Sequence, residues 1–319
     1  MSKILVLGGA GYLGSVLIGK LLKEDNQVTV FDNLMYGQLS LLQYVSHPNF
    51  KFVWGDIEDY SDEYKNLIDE SDFIFPLFSI VGAPATGREQ HKSFLVNEIG
   101  IIELIERCKV HKLDTKIIFP TTNSGYGSQS GEVYCTEETP LQPISPYGKQ
   151  KVSAEKFILN NYENAITLRL ATVFGVSSRM RIDLLVNFYV WKAITEGVLA
   201  VAEPQQKRNY VHVNDVCNCF IHCIENFETM KGNAFNVGLN ENHSKGELAE
   251  IVQQFTGCEI LETKSYVDPD KRNYIVSNEK INKTGWYAET SIEDAIPELI
   301  IACKMIQMLN YGRDINRNA

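Results

Sequence analysis

The stretch Lys3-Ile4-Leu5-Val6-Leu7-Gly8-Gly9-Ala10-Gly11-Tyr12-Leu13-Gly14 decides the fold. A short apolar run meets a cluster of glycines, and apolar spacing near 3.6 then continues to about Lys23. This pattern predicts a strand, a tight turn and a helix. Glycines at 8, 11 and 14 permit the turn, the close approach of a pyrophosphate and tight packing of helix on strand. The phosphates would sit at the helix N-terminus, where free N–H groups favour anions. Residues 27–31 form the next predicted strand, and Asp32 closes it, 18 residues after Gly14. An acid at that place binds the adenine-ribose hydroxyls and repels a 2′-phosphate, which points to NAD rather than NADP. The apolar N-terminus also resembles a signal-peptide core, but it lacks a small-residue cleavage site and carries spaced glycines.

The strand-helix alternation continues outward. Strands are predicted at 51–54, 72–78, 116–120 and 165–170, and long helices at 89–112 and 147–161. Repeated units of this kind imply a Rossmann-type, doubly wound parallel sheet of the α/β class. After Leu170 the alternation breaks, and a smaller interleaved C-terminal substrate-binding lobe is expected. The expected division is residues 1–175 for the NAD-binding part, with a returning segment near 209–238. Residues 176–208 and 239–319 make the second lobe. At 44% hydrophobic and 22% charged residues, the composition fits an ordinary globular protein. The net charge of −10 argues against a nucleic-acid surface. Seven cysteines, an odd number, fit reduced thiols in the cytoplasm better than a disulfide framework. No apolar run approaches the length of a membrane span. Cys217, Cys219, His222 and Cys223 lack a second ligand pair at metal-site spacing, so no metal is expected.

Ser145-Pro146-Tyr147-Gly148-Lys149-Gln150-Lys151 sets a tyrosine at a helix start and a lysine one turn on. An ammonium near a phenol favours the phenolate, so the tyrosine is expected to titrate below its usual value. Such a phenol can exchange a proton with an alcohol during hydride transfer. Upstream, Thr121-Thr122-Asn123-Ser124-Gly125-Tyr126-Gly127 follows a predicted strand, where ligands of parallel sheets bind.

Together these motifs resemble the extended short-chain dehydrogenases/reductases, in the branch of NAD-dependent epimerases and dehydratases of nucleotide sugars. The resemblance runs over essentially the whole chain. It implies Thr122, Tyr147 and Lys151 as catalytic residues. It implies cofactor contacts from Gly8, Gly11, Tyr12, Leu13, Gly14, Asp32, Asn33, Asp56 and Ile57, and from Tyr147 and Lys151. Lys207-Arg208-Asn209-Tyr210-Val211-His212 and Asp268-Pro269-Asp270-Lys271-Arg272 resemble segments whose arginines hold the diphosphate, which gives that role to Arg208 and Arg272. Arginine suits it because its planar fork pairs bidentately with phosphate. His212 reads as a structural hydrogen-bonder and Asp215 as a residue that caps or orients the junction there.

The same comparison prunes the chemistry. Dehydratases of the family carry Asp-Glu after the threonine, and here Asn123 and Ser124 stand there. Neither serves as acid or base for dehydration, and both are expected at the substrate. The cysteine of 3,5-epimerising relatives is also missing from this loop. Oxidation at carbon 4 remains, ending in a 4-keto sugar, a 4-epimer or a reduced 4-keto compound. Thr172 replaces the family's substrate-binding asparagine, with Arg181 and Asn187 as further candidates. The segments 122–127, 179–187 and 268–272 resemble a bacterial subgroup acting on GDP-heptoses of surface polysaccharides. That likeness implies a GDP-sugar substrate, NAD(H) held through turnover and a keto acid as second substrate. The family also implies a homodimer through the helices at 89–111 and 147–161. A non-catalytic NAD(H) sensor is the competing reading, and the intact Thr122, Tyr147 and Lys151 argue against it. A steroid or phenolic reductase would not need Arg208 and Arg272.

Overall fold

The computed structural model describes residues 1–128, 134–263 and 275–311. In chain order, the first elements are β1 (Lys3–Leu7), α1 (Tyr12–Lys23), β2 (Gln27–Asp32), β3 (Phe50–Trp54), α2 (Asp62–Asp69), β4 (Phe73–Pro76) and α3 (Ala83–Arg88). Next come α4 (Gln90–Phe94), a π-helical turn at Leu95–Ile99, α5 (Gly100–Val110), β5 (Lys116–Thr122), β6 (Tyr134–Cys135), α6 (Pro146–Asn161), β7 (Ala165–Leu170), β8 (Thr172–Phe174) and α7 (Leu185–Glu196). The remainder is β9 (Val198–Ala202), β10 (Lys207–His212), α8 (Val213–Glu225), α9 (Phe227–Met230), β11 (Asn233–Val237), β12 (Asn242–Ser244), α10 (Lys245–Thr256), β13 (Glu259–Thr263), β14 (Ile275–Val276), α11 (Glu279–Asn282) and α12 (Ile292–Tyr311).

Seven parallel strands form the central sheet in the order β11-β7-β5-β4-β1-β2-β3. Strand order reverses between β1 and β4, so the crevice for a ligand opens beyond their carboxyl ends. Period-2 alternation loads the two faces. Ile4 and Val6 join one core with Leu17 and Ile18 of α1 and Phe220 of α8. Leu5 and Leu7 join the other, with Leu104 and Ile105 of α5 and Ala154 and Ile158 of α6. A third core brings Val190, Leu199, Leu248 and Leu299 together from α7, β9, α10 and α12. Three small sheets accompany the central one among the described residues: β12-β10-β8, β13 beside β9, and β14 beside β6. Among the described residues no helix is long and apolar enough to cross a membrane.

The predicted single helix over 89–112 is interrupted. Its π-turn turns Asn97 inward, where Oδ1 accepts from Ile80 N and Ser79 Oγ at 2.8 Å. Nδ2 donates to the Ile80 carbonyl at 2.9 Å and to Gln150 Oε1 at 2.8 Å. An extra residue in a helix is a known way to re-aim a side chain.

Candidate active site

The glycine turn is built for a close approach. Gly8 has φ +76°, and a Cβ there would come within 2.6 Å of the Phe78 backbone. A Cβ on Gly14 would fall 2.3 Å from the Gly9 carbonyl oxygen, so helix and turn are in contact. Gly9 itself packs on Val30, a requirement not read from the sequence. At Gly11, chain neighbours aside, the atom among the described residues within 4 Å of such a Cβ is the Gly8 oxygen, at 3.3 Å, which leaves room on that side. Gly11 is the N-cap of α1 and has no side-chain cap. The first N–H groups of the helix, at Tyr12, Leu13 and Gly14, thus stand at a site open to an anion. These features fit the pyrophosphate of NAD.

Asp32 bridges the turn and the next loop, accepting from Ala10 N at 2.9 Å and Leu34 N at 2.8 Å. Burial raises its carboxyl above the usual range, against those two N–H groups, and nearby Asp56 adds to the rise. A carboxylate has more acceptor sites than these two bonds use, so ribose hydroxyls can still be received. Asp56 accepts from Asn33 Nδ2 at 2.8 Å and Glu58 N at 3.1 Å. Ile57 is buried beside it, against Gly100.

Thr122 ends β5 and caps the short 3-10 turn Asn123–Tyr126. Its Oγ1 accepts from Ser124 N at 3.1 Å and shares a hydrogen bond with Ser124 Oγ at 2.8 Å. Asn123 is 1% exposed, and among the described residues neither of its amide atoms has a hydrogen-bond partner. Ser145 caps α6 by accepting from Gly148 N at 3.1 Å, and Pro146 fills the first helical turn. This start fixes Tyr147, half-buried, one turn before Lys151. Lys151 is 3% exposed, with Nζ 4.1 Å from the centre of the Phe119 ring. Burial pulls its ammonium down to about 7, against the Glu155 carboxylate, which favours the charge.

Arg181 forms a fork with Asp183, Nε to Oδ1 at 2.7 Å and Nη2 to Oδ2 at 2.5 Å. Burial works against its charge, but Asp183 more than offsets that, and Tyr147 and Tyr12 add to the rise. Arg181 thus acts electrostatically on both tyrosines. Thr172 is half-buried at the start of β8, in register with Tyr210. Arg208 is 2% exposed and donates to the Lys207 carbonyl at 2.9 Å and to Gln206 Oε1 at 3.2 Å. Arg272 lies outside the described residues.

One sequence expectation changes and another narrows. Asn187 is fully buried, and its amide is committed to the chain itself. Oδ1 accepts from Gly175 N at 3.0 Å, and Nδ2 donates to the Arg181 carbonyl at 2.9 Å. It braces the 175–181 loop instead of offering a free substrate contact. Of capping or orienting the junction, Asp215 does the second: its carboxylate accepts from Glu289 N and Thr290 N, while the cap is His212, whose Nδ1 accepts from Asn214 N at 3.4 Å. His212 Nε2 meets Glu298 at 2.9 Å. Cys217 and Cys219 are buried, and burial raises both thiols, the first to about 12.

Fold and site define a dinucleotide-binding protein with a Tyr-Lys pair beside a hydroxyl-bearing loop. Residues 4–238 match the NAD dependent epimerase/dehydratase family, and the chain belongs to it. It is therefore an NAD-dependent enzyme with the chemistry of that family. The UDP-glucose 4-epimerase of Lactobacillus helveticus is 30% identical over 282 residues, covering 81% of this chain and 83% of its own. The CDP-paratose 2-epimerase of Salmonella typhi is 26% identical, over 93% and 98% of the two chains. Among solved structures, the dTDP-glucose 4,6-dehydratase of Bacillus anthracis in complex with NAD superposes with a TM-score of 0.83 at 25% identity, over 97% and 98% of the chains. The UDP-glucuronic acid 4-epimerase of Bacillus cereus, in complex with UDP-glucuronic acid and NAD, gives 0.82 at 25% identity, over 95% and 99%.

Proposed function

We propose that this enzyme oxidises carbon 4 of a nucleotide sugar, a GDP-hexose or GDP-heptose destined for surface polysaccharide. The observation that carries the reading is the Tyr147–Lys151 stripe of α6 together with Thr122 at the end of β5. Tyr147 takes the proton of the carbon-4 hydroxyl. Lys151, when charged, holds the phenolate that makes this possible. Thr122 donates to the reacting oxygen as it becomes a carbonyl. NAD, when bound, supplies the hydride acceptor. Arg208 and Arg272 take the diphosphate, while Asn123, Ser124, Thr172 and Arg181 line the sugar side. Asn123 and Ser124 stand where dehydration would require an acid and a base, so the ketone is not carried on to loss of water. The working form is a homodimer formed through α4, α5 and α6.

A second reading, a 4-epimerase, is favoured by the likeness to the Lactobacillus helveticus enzyme. The test is a panel of GDP-, UDP- and dTDP-sugars with and without a keto acid, followed by nicotinamide absorbance and product NMR. A 4-keto sugar sustained only by the keto acid supports the dehydrogenase, and a 4-epimer without net reduction of NAD supports the epimerase. In Tyr147→Phe, turnover should fall at least a hundredfold with NAD affinity within about twofold. Undiminished turnover in that variant would sink the assignment of Tyr147.

A further inference from the structure

Behind Tyr147 and Lys151 lies a buried ion pair that the proposed steps do not use. Tyr147, Lys151 and Glu155 continue one stripe of α6 in successive turns. The Glu155 side chain is 1% exposed and that of Arg169, on β7, 7%. Arg169 Nη2 and Nε donate to Glu155 Oε1 at 2.7 and 3.0 Å, and Nε reaches Oε2 at 3.3 Å. Its Nη1 is occupied by Tyr126 Oη and the Glu137 carbonyl, both at 3.0 Å. Such a pair costs desolvation that two apolar side chains would avoid, so its presence under the active-site helix asks for a role.

The charged and titratable groups around Lys151 can be placed element by element. Its own helix offers Tyr147 and Glu155. Strand β7 offers Arg169, which Glu155 holds, and the 3-10 turn offers Tyr126, which Arg169 holds. Strand β5 contributes the Phe119 ring. Arg181 acts on Tyr147 from the 175–183 segment. Glu98 meets α6 at Ser153, about 200° around the helix from Lys151. Glu155 is therefore the carboxylate of α6 itself, and it sits on the face that carries Lys151.

We infer that Glu155, held in place by Arg169, is a positioning residue for the proton step, whose charge keeps Lys151 protonated and so keeps the proton off Tyr147. The inference rests on the proposed roles of Tyr147 and Lys151. Tyr147 and Lys151 can divide one proton in two ways, phenolate with ammonium or phenol with amine. Only in the first can the Tyr147 oxygen itself accept a proton from an alcohol. Glu155 lies about 6 Å along the helix axis from Lys151 and about 12 Å from Tyr147. It therefore favours the ammonium more than it disfavours the phenolate. The direction agrees with the lysine's surroundings, where burial is the larger influence and Glu155 the one that opposes it.

The test reads Lys151 itself. Protein carrying NAD and lysine labelled with carbon-13 at Cε is titrated by NMR, with the Lys151 resonance assigned by its loss in Lys151→Met. Glu155→Gln should move the Lys151 midpoint down by about one pH unit or more. Glu155→Asp, which keeps the charge, should leave it within about half a unit. A double variant, Glu155→Gln with Arg169→Met, removes both charges and avoids stranding a buried arginine. It should show a smaller downward movement, since the lost Arg169 cation works the other way, and it decides the matter if the single variant does not fold. An unchanged midpoint in the folded double variant overturns the inference and leaves the pair a structural brace. If no nucleotide sugar reacts while the midpoint moves as stated, the proposed function falls and this electrostatic role stands.

Discussion

A buried polar group without a partner costs about 1–3 kcal/mol, and among the described residues Asn123 has no partner for either amide atom, one residue beyond Thr122. If Asn123 meets the substrate as proposed, bound sugar would supply the partners it lacks. Asn123→Leu should stabilise the free protein by about 1 kcal/mol in urea denaturation. The same change should raise KM for the nucleotide sugar about tenfold or more. A loss of stability in the absence of substrate would show that the amide already has a partner in the free protein. Lys151 makes a second residue-scale prediction, through pH. Its folded value is lowered to about 7 from 10.5, so between those values the unfolded chain holds the proton and the folded protein has shed it. Stability from this group therefore rises with pH across that window, and below about 7 the full cost of the buried charge is present. Lys151→Met should be more stable than the parent below that window. Its advantage should shrink by about 1.4 kcal/mol per pH unit as pH climbs through it. A gap that stays constant with pH would show that Lys151 keeps its proton when buried, with no lowered value.

Elements that are periodic along the chain were legible before the structure, and those made by one displaced residue were not. The glycine turn, β1, α1, β2 and Asp32 follow from local pattern alone, as does the start of α6 at Ser145-Pro146. The π-turn at Leu95–Ile99 leaves the apolar spacing of the helix nearly unchanged, so it has no periodic signature. A lone asparagine amid apolar neighbours at Asn97 was the available hint. Likewise the stripe Tyr147, Lys151, Glu155 could be read one turn further, but its partner Arg169 could not be chosen without the register of β7 against β5. Non-local pairing also hid the role of Asn187, whose partners come from Tyr12, Gly175 and Arg181. The π-turn has a measurable consequence. Asn97→Ala removes the partner of Ile80 N and of the Ile80 carbonyl together. We expect a cost of about 2–3 kcal/mol in denaturation and faster hydrogen exchange at the Ile80 amide. Unaltered exchange at Ile80 would mean that the loop after β4 is held by something other than this helix.

At the scale of the whole molecule, the segment after β8 is bound to the glycine turn it crosses. Tyr12 Oη donates to the Gly175 carbonyl at 2.7 Å, and Ser177 Oγ donates to the Tyr12 carbonyl at 2.8 Å. Ser15 and Ser177 hydroxyls meet at 2.8 Å, and Arg179 lies 4.9 Å from the centre of the Tyr36 ring. Asn187 at the start of α7 anchors this segment from beneath. The anchor and the anion site on α1 are thus parts of one structure, and a change at Asn187 should be felt by the cofactor. Asn187→Ala leaves Gly175 N and the Arg181 carbonyl without their partner, at a cost of about 2–3 kcal/mol in denaturation. It should also speed NAD dissociation at least tenfold, since the loop it releases lies across the turn. A residue that merely touched the sugar would behave otherwise, with KM for the nucleotide sugar rising while stability and NAD release stayed as they were. Measuring NAD dissociation by competition, beside the urea midpoint of the same variant, separates the two. Slow release retained in a destabilised variant would show that the segment holds itself in place without Asn187.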